Sequence, residues 1–253
     1  MPRRLAGLAA VLALAIAPAA WAARPLETED TGTATGVEVE LGADVETGAG
    51  ARAWTLGAAV NLGILPNLEV NAAGAAVWLE PDRAGGRGGV GDTVLGLKYR
   101  LLDEGARAPA LLGRLTLRLP TGSESRGLGD PGVDVGLLLA VSKQLGAVTL
   151  TGNVGHTFVT ASDARDLLTL AASVEWAVAD GRWTLVGEVV AALPLGGGDR
   201  TVVVRAGARY QLLAAAPGSR AFVRSVVLDA ALGGGLTARS PDVVATAGLT
   251  LGF

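Results

Sequence analysis

The sequence predicts an all-β protein, a transmembrane antiparallel up-and-down β-barrel of about twelve strands. Three observations carry that prediction. Apolar and polar residues alternate with a period of two over most of the chain; Gly, Pro and Asp residues interrupt the alternation at regular intervals; and the aromatic residues fall near strand ends on the apolar face. Composition agrees with this reading. Half of the 253 residues are hydrophobic, 18% are charged and none is Cys, which excludes a disulfide scaffold, a disordered tail and a coiled coil. Lys and Arg number 21 against 24 acids, so no cationic excess exists to displace counterions from nucleic acid, and none is expected as a partner.

Residues 1–22 read as a secretory signal peptide. Arg3 and Arg4 give a basic start, Leu5 to Ala17 is uncharged, and Ala20-Trp21-Ala22 has the small-x-small form of a cleavage site. The apolar run is shorter than the ~20 residues of a spanning helix, which disfavours a retained anchor. Residues 23–35 form an N-terminal segment whose acidic stretch, Glu27 to Asp30, either stays in the periplasm or enters the lumen. The barrel is expected over 36–253.

Its first strand is the clearest. Between Gly36 and Thr47, Val37, Val39, Leu41, Ala43 and Val45 share one face, while Glu38, Glu40, Asp44 and Glu46 share the other. Strands follow near Ala53–Leu62, Leu68–Leu79, Asp92–Leu102, Ala110–Pro120, Val133–Lys143, Val148–Phe158, Leu168–Val178, Trp183–Leu193, Thr201–Leu212, Phe222–Leu232 and Val243–Phe253. An even strand count puts both termini on the periplasmic side. The connections then alternate: Glu80 to Val90, Thr121 to Gly132, Thr160 to Asp166 and Gly233 to Asp242 are longer and face outward, whereas Leu145-Gly146 and Asp180-Gly181 mark tight periplasmic hairpins. The connection after Thr47 and the stretch Leu213 to Arg220 depart from this alternation.

Two features turn the apolar face toward lipid and the polar face toward a lumen. Trp54, Trp78 and Phe158 form one aromatic girdle, and Tyr99, Trp176, Trp183, Tyr210, Phe222 and Phe253 the other, at the levels where such rings meet lipid headgroups. Inward positions carry Glu38, Glu40, Asp44, Glu46, Glu69, Asp92, Lys98, Arg100, Arg114, Arg118, Asp134, Glu175, Glu188, Arg205, Arg209 and Asp229. So many ionisable groups cannot enter a dry core without heavy desolvation cost, which implies water or dense pairing inside. Lys143 and Arg224 face outward but at periplasmic strand ends, where long basic side chains reach the interface. Thirteen of the inward residues are expected to line a pore: Glu38, Glu40, Asp92, Lys98, Arg100, Arg114, Arg118, Asp134, Glu175, Glu188, Arg205, Arg209 and Asp229. Arg100, Arg114 and Arg118 are expected to form a basic strip opposite Glu38 and Glu40, and the Thr121 to Gly132 loop is a candidate constriction. Alternation up to Phe253 resembles the insertion signal of bacterial outer-membrane barrels, which makes the outer-membrane assembly machinery an expected partner beside the bilayer and a small-molecule solute.

Several stretches together resemble one barrel family. They are Arg24-Pro25-Leu26-Glu27-Thr28-Glu29-Asp30-Thr31, Gly91-Asp92, Gly96-Leu97-Lys98-Tyr99-Arg100, Leu119-Pro120-Thr121-Gly122, Gly127-Leu128-Gly129 and Asn153-Val154-Gly155. The chain resembles, from Arg24 to Phe253, the outer-membrane transporter family described as the "putative MetA-pathway of phenol degradation". His156 stands where that family carries Tyr. The resemblance implies a passive transporter of hydrophobic or aromatic small molecules in the outer membrane of a Gram-negative-type bacterium, and it assigns no substrate-binding residues.

Motifs of other chemistries lack their context. Gly86, Gly88 and Gly91 match G-x-G-x-x-G, but a strand follows where a dinucleotide site needs a helix N-terminus, so a flexible surface loop is expected. His156 is the sole imidazole, which leaves a zinc site without ligands, and neither a metal nor a cofactor is expected. A barrel lipid hydrolase would need an outward Ser near His156, and a purely structural or adhesive barrel would need an occluded lumen. Both remain alternatives to a passive, non-enzymatic channel.

Overall fold

The alternating runs become strands that join edge to edge until the sheet meets itself. The computed structural model describes residues 24–48, 50–82, 85–161, 165–178, 181–216 and 218–253. The expected leader, residues 1–22, lies outside them, as do residues 179–180 beside the second expected tight hairpin. The strands are β1 (Val37–Gly48), β2 (Ala51–Leu65), β3 (Leu68–Pro81), β4 (Arg87–Val90), β5 (Thr93–Leu102), β6 (Ala110–Leu119), β7 (Asp134–Leu145), β8 (Val148–Phe158), β9 (Leu167–Ala177), β10 (Trp183–Pro194), β11 (Thr201–Ala214), β12 (Ser225–Gly235) and β13 (Val243–Gly252). A single 3₁₀ turn, Glu124–Arg126, lies between β6 and β7.

Consecutive long strands pair antiparallel, and β1 pairs with β13 from Glu38↔Gly252 to Thr47↔Val243. That seam closes a twelve-stranded barrel, with β4 as a short addition. Closure gives every wall strand two hydrogen-bonded neighbours, the condition for strands to cross hydrocarbon. One expected tight turn is plain: Gly146 and Ala147 alone join β7 to β8, and Gly146 takes the left-handed φ of 65° that such a hairpin requires.

Two details depart from the sequence reading. The fourth wall strand is split: β5 pairs with the lower part of β3, Leu68 to Ala73, while β4 pairs with its upper part, Ala76 to Leu79. The Gly91 N–H bridges the break by donating to the Ala75 carbonyl at 2.9 Å. The glycine stretch read as a flexible loop therefore contributes a strand at Gly88 and Gly89. The physical reason is Trp78, whose indole lies across Gly88 where any Cβ would collide with it. Phe222 is the second case. It precedes β12 by three residues and is 82% exposed, and it reaches its rim by resting against Phe253 with ring centroids 5.1 Å apart.

Burial follows strand parity. On β2, Arg52, Trp54, Leu56, Ala58 and Val60 are exposed, and Ala51, Ala53, Gly57, Ala59 and Asn61 between them are buried. The outward set on β7, Leu137, Leu139 and Val141, is likewise exposed. A band of exposed aliphatics in a closed barrel is a surface made for acyl chains. Trp54 and Trp78 are cross-strand partners at one rim, and Trp183 and Tyr210 are partners at the other with centroids 4.7 Å apart. Along β8, Val148 stands beside Trp176 and Phe158 lies at the opposite end. At the usual strand rise and tilt those levels are about 25 Å apart, the height of an outer-membrane apolar band.

A cation placed in the middle of this band tests its orientation. Leu139→Lys should lower the unfolding free energy in lipid vesicles by about 2–4 kcal/mol, read by guanidinium titration of tryptophan emission.

Candidate functional site: the barrel lumen

Charges inside the barrel are held in clusters, and the N-terminal segment supplies part of each central one. Arg24, Leu26, Thr28, Glu29 and Thr31 are buried, Glu29 to 1% exposure, because residues 24–31 lie inside the wall. Arg24 donates to Thr246 Oγ1 at 2.6 Å and to the Ala247 carbonyl at 2.9 Å on β13, and it stands 3.4 Å from Asp229 on β12 and 3.9 Å from Asp44 on β1. Its own carbonyl accepts from Arg209 on β11. The segment then crosses the lumen. Glu27 pairs with Arg205 of β11, while Glu188 of β10 accepts the Glu27 N–H at 3.0 Å, the Thr28 N–H at 2.9 Å and the Thr28 hydroxyl at 2.7 Å.

Glu29 marks the deepest contact. Its carboxylate meets Lys98 Nζ of β5 at 2.6 Å and the Arg114 guanidinium of β6. Asn153 on β8 holds its backbone from both sides, accepting the Glu29 N–H at 2.7 Å and donating to the Glu29 carbonyl at 2.8 Å. The chain leaves toward the rim that carries the β2–β3 turn, where the Ala34 N–H donates to Glu69 at 2.8 Å and the Thr33 hydroxyl to the Pro66 carbonyl at 3.0 Å. Residues 24–34 thus form a crossbar bonded to strands on opposite sides of the barrel.

A second insert fills the outer end. Arg118 of β6 is clamped by Asp92 and by Asp134 of β7, and Asp130 lies 3.5 Å away. Asp92 also accepts the Gly122 N–H at 2.9 Å and the Asp130 N–H at 3.0 Å, which pins the β6–β7 loop inward. Leu128 at the loop's tip is 2% exposed and packs with Ala53, Ala75, Val77 and Leu79. Partial burial raises the Asp130 carboxyl above the ordinary range, against the pull of Arg118.

The inward residues named from sequence are distributed among these clusters unequally. Lys98, Arg114, Glu188, Arg205, Arg209 and Asp229 meet the crossbar, and Arg209 also pairs with Glu175 at 2.6 Å. Asp92, Arg118 and Asp134 hold the loop. Arg100 stands at the mouth beside the β2–β3 turn, donating to the Pro66 carbonyl at 2.9 Å and pairing with Asp103 at 2.7 Å. The structure does not bring Arg100, Arg114 and Arg118 together opposite Glu38 and Glu40. Those two acids share the amide of Asn61, at 3.1 and 2.7 Å. Each arginine is paired elsewhere: Arg114 with Glu29 of the crossbar, Arg118 with Asp92 and Asp134, and Arg100 with Asp103 at the rim. Asn61, Asn153 and Leu128 are site residues that sequence reasoning missed, although Asn153 and Leu128 lie in stretches that carry the family resemblance.

Outside the wall, a groove of about 470 Å³ is lined by Leu97, Leu115, Leu137, Val154, His156 and Leu168. His156 stacks on Phe158 with centroids 4.2 Å apart and meets Asp166 at 3.0 Å. That bond and the Val159 N–H hold the Asp166 carboxyl below its usual range. The cross-strand neighbours of His156 are Leu137 and Leu168, which offer no hydroxyl nucleophile.

The family model described as "Putative MetA-pathway of phenol degradation" matches residues 22–253. No curated protein matches the chain. Among solved structures, the chain is similar to the COG4313 outer membrane channel from Pseudomonas putida F1, at 16% identity and a TM-score of 0.59, over 89% of this chain and 97% of that one. It is similar to the NanC porin at 7% identity and a TM-score of 0.57, over 85% and 98%. A third likeness is to the CymD monoaromatic hydrocarbon channel, at 14% identity and a TM-score of 0.53, over 86% and 88%. At such identities the likeness is one of fold.

The pinned loop generates a prediction. Asp92→Ala removes the acceptor of two loop N–H groups and one side of the Arg118 clamp, so trypsin should cut after the exposed Arg126 at least about tenfold faster in folded protein. Cleavage rates on gels after timed digestion supply the check.

Proposed function

The chain belongs to the family described as "Putative MetA-pathway of phenol degradation", and from that premise we propose that it is a passive outer-membrane channel for small molecules. The observation that carries the reading is the lumen itself: buried ionic clusters inside a closed barrel, crossed by an N-terminal segment that is bonded to the wall only by polar contacts and side-chain burial. No strand pairing holds residues 24–34, so they can leave while the wall keeps its hydrogen-bonded ladder. Diffusion down a gradient needs no more than that departure. The channel is shut by a crossbar at mid-depth and narrowed by the β6–β7 loop at its outer end.

The solutes follow from the two surfaces a molecule meets on entering. Val77, Leu79 and Leu128 are buried against one another near the outer mouth and become an apolar surface when the β6–β7 loop lifts, and the ionic clusters deeper in the lumen present hydrogen-bonding groups. Small amphipathic molecules, aromatic ones included, suit that sequence of surfaces. Partners on this reading are the lipid bilayer, the solute, and the outer-membrane assembly machinery engaging the C-terminal strand that ends in Phe253.

Two measurements test it. In planar bilayers the chain lacking residues 24–31 should conduct several-fold more than the full mature chain; folded barrels of both kinds that pass neither ions nor solute refute the channel. Removal of Phe253 should reduce the amount of folded, heat-modifiable barrel in the outer membrane several-fold without altering refolding in detergent. An unchanged membrane yield would remove the assembly signal from the account.

A further inference from the structure

The cations of the lumen differ in where their carboxylates come from. Arg118 is matched by Asp92 and Asp134, Arg209 by Glu175, and Arg205 has Glu188 at 2.8 Å; each of these acids belongs to the barrel itself. Lys98 and Arg114 are matched by Glu29, which belongs to the crossbar. The wall acid beside Lys98, Glu69, lies farther off at 3.8 Å and is also the acceptor of the Ala34 N–H. Two cations side by side on β5 and β6, both nearly buried, thus form a built seat on which one carboxylate rests.

We propose that this Lys98–Arg114 seat binds the carboxylate of a permeating organic monoanion, and that Glu29 occupies it as an internal competitor. The inference rests on the channel reading and names its solute class. A carboxylate of similar geometry meets the same two donors that now hold Glu29, in a site where desolvation strengthens charge-assisted hydrogen bonds. Asn153 serves as a second anchor, since its amide both accepts from and donates to the main chain at Glu29. Binding of the solute and seating of the crossbar are mutually exclusive at this point, so the solute favours the open state by its preference for it. Neutral molecules of the same shape gain nothing from the two cations and have no such leverage.

The probes are benzoate and its uncharged isostere benzamide, titrated by calorimetry into the detergent-solubilised full-length mature protein. Glu29→Gln removes the competing charge and leaves the seat intact. It should bind benzoate at least tenfold more tightly than wild type does, and at least tenfold more tightly than it binds benzamide. Adding Arg114→Gln to that variant should abolish the preference. Should E29Q fail to give a heat-modifiable barrel, Glu29→Asp, which withdraws the carboxylate by one methylene, is expected to shift affinity in the same direction. Equal affinity for benzoate and benzamide, or equal benzoate affinity in wild type and the Glu29 variant, overturns the proposal. Planar-bilayer recordings separate the two readings. A conducting barrel without carboxylate preference keeps the channel and loses the seat, whereas a preference for benzoate in a barrel that never conducts keeps the seat and loses the channel.

Discussion

One constraint governs the rest of the molecule: a backbone that crosses hydrocarbon must satisfy every amide and carbonyl without water. A sheet meets it only by closing, and here closure falls on the pairing of the first strand with the last, ten residue pairs from Glu38 to Thr47. Closure fixes two surfaces at once. Because side chains alternate, residues one apart face lipid and lumen, so the apolar exterior and the ionic interior are a single pattern read on its two faces. The aromatic residues then locate the two interfaces, through rings that combine an apolar body with polarity at its edge.

An interior made of ionisable groups creates its own difficulty, since charges removed from water must be paired closely or shed. The wall answers locally where it can, as in the Arg118 clamp or the pairing of Arg209 with Glu175. Elsewhere the answer comes from outside the sheet. Glu27 and Glu29 complete the surroundings of Arg205, Lys98 and Arg114, and Arg24 completes those of Asp229. The crossbar therefore does for the lumen what a well-matched ligand does for a binding site. On the proposed reading a competing solute would reproduce those contacts, which would link the stability of the seated crossbar to the chemistry of the solute.

The outer end obeys a different logic. There the inward face of β2 and β3 is aliphatic, and the β6–β7 loop turns Leu128 into it, so hydrophobic contact and the Asp92 hydrogen bonds act together on one short segment. The split of the fourth wall strand at Gly91 belongs to the same neighbourhood. β4 runs beside that loop, with Arg126 donating to the Gly88 carbonyl, and its glycines let Trp78 lie flat over the sheet. The lipid-facing His156 and Asp166 remain apart from all of this, at the outer rim near Phe158.

The sequence alone determined the barrel and the number of its long strands. These follow from period-two alternation and from turn residues, which are local properties that a linear pattern records in full. Phe222 lies three residues before the strand to which the sequence assigned it. What the linear pattern could not supply was partnership across the lumen. Lys98, Arg114 and Asn153 come from three different strands and meet at Glu29, a residue from before the first strand. Likewise Arg100 turns to the rim beside the β2–β3 turn, and Glu38 and Glu40 meet an asparagine in place of the expected arginines. Alternation says that a side chain points inward; which charge it meets there is decided by the curvature that brings distant strands face to face. That choice was the tertiary structure's, because pairing energy depends on distance across a closed space and not on separation along the chain.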